Sequence, residues 1–405
     1  MVISKVKLPD VSIVIPNWNG LHHLEPCFES LNTLAYPGHI DLILVDNGSR
    51  DGSVEFMRRR FPRVRVVQNP MNMGFASACN QGADAARTPI VAFMNNDMRV
   101  DPGWLIELVR PIADGKARCT GSLILNWDGT EVNYAGGAMN FHGIGVQVGM
   151  NDVDVGKYKA AQPTLFACGG AMAIDRELFL HCGGFDDDFF AYYEDVDLGW
   201  RLWVLGETVQ YVPSSVIYHH HSATSRRVDV HRIRLLQIRN PLFSIFKNYD
   251  DDNVLRALPA ALLLTMRRTK YLLNVEESEF SLTQNRGLKK GPFGGLRVRA
   301  AGKLSRGNVP LAGIADVLAI NEFSAQISKF AAKRKWIQDR RKRSDKEILT
   351  LFKEPFWPAE RPEEYSTLQS DLADFFGLKD LFPEPRGQGG AKVPPSGPAS
   401  GMGAR

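Results

Sequence analysis

Three polar clusters carry the residue types that chemistry needs. In "VAFMNNDMRVD" (91–101) the apolar run Val91-Ala92-Phe93-Met94 breaks off into Asn95-Asn96-Asp97. Magnesium is commonly held by one or two protein carboxylates plus substrate phosphate oxygens and water, so Asp97 alone suffices if a nucleotide diphosphate completes the shell. In "YHHHSATS" (218–225) His219 stands at the end of a strand-like run, where an imidazole could reach the same ion. A His contact would favour manganese or another softer ion over magnesium; the plain alternative is a polar turn with one stacked or hydrogen-bonded ring. In "AYYEDVDLGWR" (191–201) Glu194, Asp195 and Asp197 crowd the start of a helical pattern. One acid at a helix N-terminus is stabilising by about 0.3–1 kcal/mol, but three within four residues exceed that need. Mutual repulsion and partial burial raise a carboxyl pKa, which is how such a group becomes a general base near neutral pH.

These clusters need a scaffold, and the N-terminal third supplies an alternating one. The β-branched runs 11–15, 41–45, 64–68 and 90–94 read as strands, and 22–34, 53–61 and 76–86 between them have apolar residues at helical spacing. Such βαβ repetition predicts an α/β fold with a mainly parallel sheet and right-handed crossovers, its ligands gathered at the carboxyl ends of the strands. Polar, turn-forming residues sit at those ends: Pro16-Asn17-Trp18-Asn19-Gly20, Asp46-Asn47-Gly48-Ser49, Asn69 to Gly74, and Asn95 to Asp97. Asp46 is placed to accept the ring N–H of a uracil or thymine; Asn72 and Gly74 let the backbone pass close to a ribose or diphosphate. Neither G-x-x-x-x-G-K-[ST] nor G-x-G-x-x-G follows these strands, which leaves charge neutralisation to Mg2+ or Mn2+.

Beyond the alternation, 120–165 is Gly-rich and reads as hairpins and a loop. A strand is expected at 164–174, a short helix over 176–182, a helix from about Asp195 to Gly206, and a strand ending in "VIYHHH". Helices are expected over about 230–275 and twice more between 311 and 352. A Gly/Lys/Arg-rich loop is expected over 284–308, and the last twenty or so residues have a composition that cannot support a core.

The length, 405 residues, allows two or three packed units, and no apolar signal core opens the chain, which places it in the cytosol. Five cysteines, an odd number without a C-x-x-C pair, argue against a disulfide framework and a structural zinc site and read as buried small hydrophobes. Net charge is only +4, but Lys and Arg crowd 329–346, a run that suits a solvated helix face or a phosphate-bearing partner. With the apolar stretch 257–266, which is half the length of a membrane span, this suggests peripheral contact with anionic membrane at its inner face. Sparse aromatic interleaving argues against nucleic acid.

In order and spacing, "VSIVIPNWNG", "LILVDNGSRDGS", "NPMNMGFASACNQG", "FMNNDMRVDPGWL", "CGGAMAIDRELFLHCGGFDDDFFAYYEDVDLGWRLWVLG" and "VIYHHHSATS" resemble the family 2 inverting glycosyltransferases of the GT-A fold, rhamnosyltransferase-like members above all. The likeness covers about residues 10–250. It implies metal-dependent transfer of a sugar from a UDP- or dTDP-linked donor, possible donors including dTDP-rhamnose, to a hydroxyl of a glycan or lipid-linked acceptor. It gives Asp195 the role of base with Glu194 as neighbour, and Asp97 that of metal ligand, with His219 contacting metal or phosphate. Pro16, Asn17, Asn19, Asp46, Asn72, Gly74, Asn95 and Asn96 fall to the nucleotide and donor, and Gly169, Gly170 and Trp200 to the acceptor side. Asn95 departs from the all-acid version of the metal motif and so touches sugar or ribose instead. Arg226, after the His cluster, is placed to close over the diphosphate. The segment "QIRNPLFSIFKNYDDDN" resembles a helical region on the acceptor side and receives no catalytic role. The expected organisation is a catalytic domain over 1–228, a helical region over 229–383 and a tail over 384–405. A sugar nucleotidyltransferase would share sheet and metal but need a Gly-rich basic loop that "IPNWNGLHHL" lacks. A non-catalytic nucleotide-sugar-binding protein would not need Asp195.

Overall fold

Each of the four strand-like runs of the N-terminal third becomes a strand. The computed structural model describes residues 7–220, 229–273, 310–360 and 363–382. In chain order come β1 (Val11–Asn17), α1 (Leu21–Leu31), β2 (Ile40–Asp46), α2 (Ser53–Arg60), β3 (Arg65–Gln68), α3 (Phe75–Ala85) and β4 (Ile90–Met94). The four strands pair in parallel in the order β3-β2-β1-β4, so their carboxyl ends open on one edge. Helices cover the sheet, so β4 and most of β1 are buried and read as near-continuous apolar runs.

The chain continues through β5 (Met98–Val100), α4 (Trp104–Ala113), β6 (Cys119–Asn126), β7 (Val132–Tyr134), β8 (Gly137–Met139), β9 (Gly145–Gln147), β10 (Gln162–Pro163) and β11 (Ala171–Asp175). It then forms α5 (Arg176–His181), α6 (Glu194–Val204) and β12 (Val209–His219). Here the structure departs from expectation. Hairpins do occupy the Gly-rich region, but its first residues form β6, paired with β11 and β12 in the large sheet. Its polar residues are buried and satisfied: Thr120 Oγ1 donates to the Leu108 carbonyl at 2.8 Å, and Ser122 Oγ accepts from Trp104 Nε1 at 2.8 Å. The strand expected over 164–174 shortens to β11, which runs antiparallel to both β4 and β6.

Helices α7 (Val230–Asn248), α8 (Asp251–Leu273), α9 (Leu311–Ala325), α10 (Ile327–Gln338), α11 (Asp345–Ile348) and α12 (Glu363–Phe375) follow. The loop expected at 284–308 and the tail at 384–405 lie outside the described residues, and the boundary expected at 228 falls at the end of another such stretch. The helices do not build a separate core. Trp200 of α6 packs edge-on against Tyr249 (4.7 Å) and Phe352 (5.2 Å), and the Tyr249 hydroxyl donates to the Phe141 carbonyl at 2.9 Å.

A buried charge lock joins the two regions. Lys247 of α7 donates to Asp186 at 2.7 Å and Asp197 at 2.8 Å, with its side chain 2% exposed. Arg201 pairs with Asp197 at 3.1 Å, and Lys333 of α10 bridges Asp186 and Asp188. Burial pushes the Asp186 carboxyl up, but Lys247 and Lys333 outweigh it and hold the group well below its ordinary range. A carboxyl depressed in the folded state contributes stability above its unfolded pKa of about 3.9. That contribution is lost as pH falls through the unfolded and then the folded value. Thermal melts are therefore expected to lose this stabilisation progressively below about pH 4. Lys247→Met, which leaves Asp186 with Lys333 and Asp197 with Arg201 as their remaining cations, is expected to cost about 3 kcal/mol at neutral pH by denaturant titration, the low end of the range for breaking a buried pair; a loss under 1 kcal/mol would refute the lock.

The basic run turns partly inward. Lys333 enters the lock, Arg334 pairs with Asp251 at 2.5 Å and donates to the Tyr249 carbonyl, Arg341 pairs with Asp345 at 2.9 Å, and Arg343 donates to the Glu207 carbonyl. Lys329, Lys335, Arg340, Lys342 and Lys346 stay exposed, so the run is divided between internal ion pairs and an open basic face. Among the described residues no helix is long and apolar enough to cross a membrane. The cysteines are free, four buried and Cys168 half-buried.

Candidate active site

Three features of the topology bring the polar clusters to one cavity of about 360 Å³. The parallel strands deliver Pro16, Asn17, Trp18, Asn47, Asn72 and Gly74 from their carboxyl ends. Antiparallel β12 and β5 pair with His219 opposite Met98, which sets His219 beside the turn holding Asp97. Antiparallel β11 and β4 pair with Ala171 opposite Met94, and Asn95 N–H donates to the Gly170 carbonyl at 3.0 Å. A Cβ on Gly170 would lie 2.7 Å from the Asn95 amide, so a side chain there would push that amide aside.

At the carboxyl ends of the parallel strands the side chains form a mutually satisfied network. Asn17 Nδ2 donates to Asp46 Oδ1 at 3.0 Å, and Asn17 Oδ1 accepts from Asn96 Nδ2 at 2.7 Å. Asp46 Oδ2 accepts from the Ser49 N–H at 3.0 Å. Asp46 is fully buried behind the cavity-lining residues, where it braces the Asn17 and Ser49 loops; the wall itself carries Asn47. Asn19, at φ +51°, also shapes the loop rather than lining the cavity: its Oδ1 accepts from Arg50 N–H at 2.8 Å. Asn47 Nδ2 reaches Asn72 Oδ1 at 2.9 Å and the Gly74 carbonyl at 3.0 Å, while its Oδ1 accepts from Asn69 and Met73. Gly74 adopts φ +90°, and a Cβ there would meet the Phe190 carbonyl at 2.4 Å.

Asp97 is buried and faces His219 Nε2 across 3.4 Å from its Oδ1, an oxygen without a hydrogen bond of good geometry. Burial pushes its carboxyl up, but His219 and then His23 outweigh that and keep it below its ordinary value. A buried, ionised carboxylate oxygen with spare acceptor capacity, beside an imidazole, fits one edge of a divalent cation's shell. Among the described residues no group of three or more His, Cys, Asp or Glu converges on a metal position, so further ligands would have to come from substrate or water. His220 is held differently: its ring stacks on Trp127 at 4.2 Å, and its N–H donates to the Asp97 carbonyl at 2.9 Å. His221 and Arg226 lie outside the described residues.

Asp195 lines the same cavity. Its Oδ2 accepts from the Gly169 N–H at 2.9 Å and its Oδ1 from the Val196 N–H at 2.8 Å. Burial raises its carboxyl pKa in spite of those two amides. Glu194 is more buried, its Oε2 has no hydrogen-bond partner, and burial followed by the Asp195 charge raises it well above its ordinary value. Amide donors favour the charged form, so Asp195 carries the charge of the pair and Glu194 the proton. The third acid is structural: Asp197 points into the charge lock.

The acceptor-side assignments divide. Gly169 anchors Asp195 and Gly170 lines the cavity, but Trp200 does not reach it. Five residues beyond Asp195 on a helix is about 140° round the axis, and the indole is fully buried in the core. The wall instead includes Tyr192 and Tyr193, and Ile233, Leu236 and Gln237 of α7. These α7 residues recur at helical spacing, the one sign of a shared face in the sequence. Phe190, Tyr192 and Tyr193 all have positive φ (63°, 68° and 69°), a conformation costing non-glycine residues on the order of 1–3 kcal/mol each.

Residues 12–183 match the family model described as Glycosyl transferase family 2. The chain is 29% identical over 233 residues to N-acetylglucosaminyl-diphospho-decaprenol L-rhamnosyltransferase of Mycobacterium tuberculosis (strain ATCC 25618 / H37Rv), covering 51% of this chain and 74% of that protein. It is 29% identical over 232 residues to O-antigen biosynthesis protein RfbC of Myxococcus xanthus, covering 55% of this chain but only 18% of that one. The fold is similar to that of GalNAc-T7 solved with UDP, GalNAc and Mn2+, at a TM-score of 0.52 and 20% identity, over 67% of this chain and 53% of that one.

Proposed function

We propose, from the premise that residues 12–183 form a glycosyltransferase family 2 domain of the GT-A fold, that the chain moves a sugar from a pyrimidine nucleoside diphosphate to an acceptor hydroxyl with inversion. The observation that carries this reading is the placement of two buried acids on one cavity, Asp97 beside His219 with a carboxylate oxygen without a hydrogen bond of good geometry, and Asp195 held by the Gly169 and Val196 N–H groups. Such different surroundings suit the two acids to different roles: one to meet a cation, the other to take a proton.

In the reaction the acceptor hydroxyl gives its proton to the Asp195 carboxylate. Its oxygen bonds to the anomeric carbon as the bond from that carbon to the diphosphate oxygen breaks, and the nucleoside diphosphate leaves on the opposite side. Gly169 N–H fixes the carboxylate during proton transfer, and neutral Glu194 adds no second charge beside it. Asp97 and His219 would hold a divalent cation, which when bound offsets charge on the diphosphate. A pyrimidine base is supported by the amide-bearing wall of Asn17, Asn47 and Asn72, whose loops the buried Asp46 carboxylate braces from behind. UDP in the solved GalNAc-T7 points the same way. A glycan or lipid-linked acceptor is supported by what the two relatives are named for.

The test is a thermal-shift panel of UDP-, dTDP- and GDP-sugars with Mn2+, followed by a transfer assay on the donors that bind. A donor at 100 times its Kd is expected to stabilise the fold by about 2.7 kcal/mol. Pyrimidine donors should do so, and sugar should then be released or transferred. A response to GDP-sugars alone would overturn the pyrimidine reading. Binding without any transfer or hydrolysis would favour a non-catalytic binding protein.

A further inference from the structure

The loop that delivers Asp195 to the cavity is strained, and a single buried amide on α7 grips it. Asn240 is fully buried. Its Nδ2 lies 3.0 Å from the Phe189 carbonyl, 3.0 Å from that of Ala191 and 2.7 Å from that of Tyr192. The amide has two hydrogens for three carbonyls, so one bond is shared. Its Oδ1 accepts from Arg239 Nε at 3.1 Å, which fixes the nitrogen as the end facing the loop. Arg239 adds a bond from Nη2 to the Asp188 carbonyl at 2.9 Å and is itself tied by Nη1 to Glu322 of α9 at 2.6 Å. The contacts fall on the stretch that holds Phe190, Tyr192 and Tyr193 at positive φ, directly before Glu194 and Asp195. Within the loop the N–H groups of Phe189, Phe190 and Ala191 close short turns on Asp186, Asp187 and Phe189, but Asn240 is the side chain that takes three of its carbonyls. The donors that pin its carbonyls come mainly from α7, whose preceding turns present Ile233, Leu236 and Gln237 to the cavity.

We propose that Asn240 is a positioning residue: by pinning the 189–192 carbonyls it holds the strained loop in the one path that aims the Asp195 carboxylate at the acceptor hydroxyl. The inference rests on the glycosyl-transfer reading for the role of Asp195, while the latch itself is independent of it. Asn240 itself touches neither Gly74 nor the Asp97 turn; the loop it pins meets Gly74 and Ala76 only through Phe190, so its loss should act more on turnover than on donor binding.

The test uses the full chain with Asn240→Asp, which keeps the shape but turns an acceptor toward three carbonyl oxygens, and Arg239→Met, a milder variant should the first not fold. Amide hydrogen exchange across 188–193 is expected to rise about tenfold or more, with β1 and β4 unchanged. Turnover is expected to fall about 10- to 100-fold, as for a misplacement on the order of 1 Å, with a much smaller change in KM for the donor. A purely structural role would lower stability everywhere without this local exchange or this split between kcat and KM. Unchanged exchange in the soluble variants overturns the latch, whatever the activity. Raised exchange with full turnover overturns the positioning role. Raised exchange in a protein whose parent shows no transfer from any donor leaves the latch standing and removes the glycosyl-transfer reading instead.

Discussion

Replacing Asp195 by Asn is expected to lower turnover by about 10²- to 10⁴-fold, the range general-base catalysis supplies, with donor affinity by calorimetry unchanged. The amide keeps the shape and can still meet the Gly169 N–H through its oxygen, so the loss reports the missing proton acceptor rather than a collapsed loop. The pH dependence sharpens the test. Because burial raises the Asp195 carboxyl, the acidic limb of kcat/KM should lie above the range of an ordinary carboxylate, with activity falling as pH drops through it. That limb should vanish from the residual activity of the variant. A parent-like rate within a few-fold would remove Asp195 from the role of base.

Asp97→Asn is expected to act on the other half of the reaction. Its side chain is buried beside His219, and one of its carboxylate oxygens has no good hydrogen-bond donor, so on the proposed reading that oxygen would meet the cation. Titrating the donor by calorimetry with Mn2+ and then with a chelator should show metal-dependent affinity in the parent. The gain should fall by about 100-fold or more in the variant, at least the loss known for mutations behind metal ligands. Binding that ignores both chelator and substitution would refute a cation at Asp97.

How much of this is legible in the sequence follows from the range of the forces involved. β1 to β4 and their crossover helices are legible because burial imposes β-branched runs and helical spacing locally. Asp97 and Asp195 are legible because acids in a turn or in excess at a helix end stand out against structural need. β6 is hidden because its threonine and serine are satisfied by distant partners, Leu108 and Trp104. Trp200 misleads because nearness to a motif along a helix says nothing about the side it faces. Asp197 reads as a member of the catalytic cluster until Lys247, fifty residues on, is seen to claim it. Asn240 carries no local signal at all, since its donors act on carbonyls about fifty positions earlier in the chain.

The charge lock has a consequence for anyone recombining such proteins. Asp186, Asp188 and Asp197 belong to the sheet-bearing segment, and the lysines that neutralise them arrive from the helices. Grafting a foreign carboxy-terminal segment to alter acceptor preference would therefore trade one half of a matched ionic fitting for an unmatched one. The acids and their cations have to be transplanted together, or both replaced by hydrocarbon.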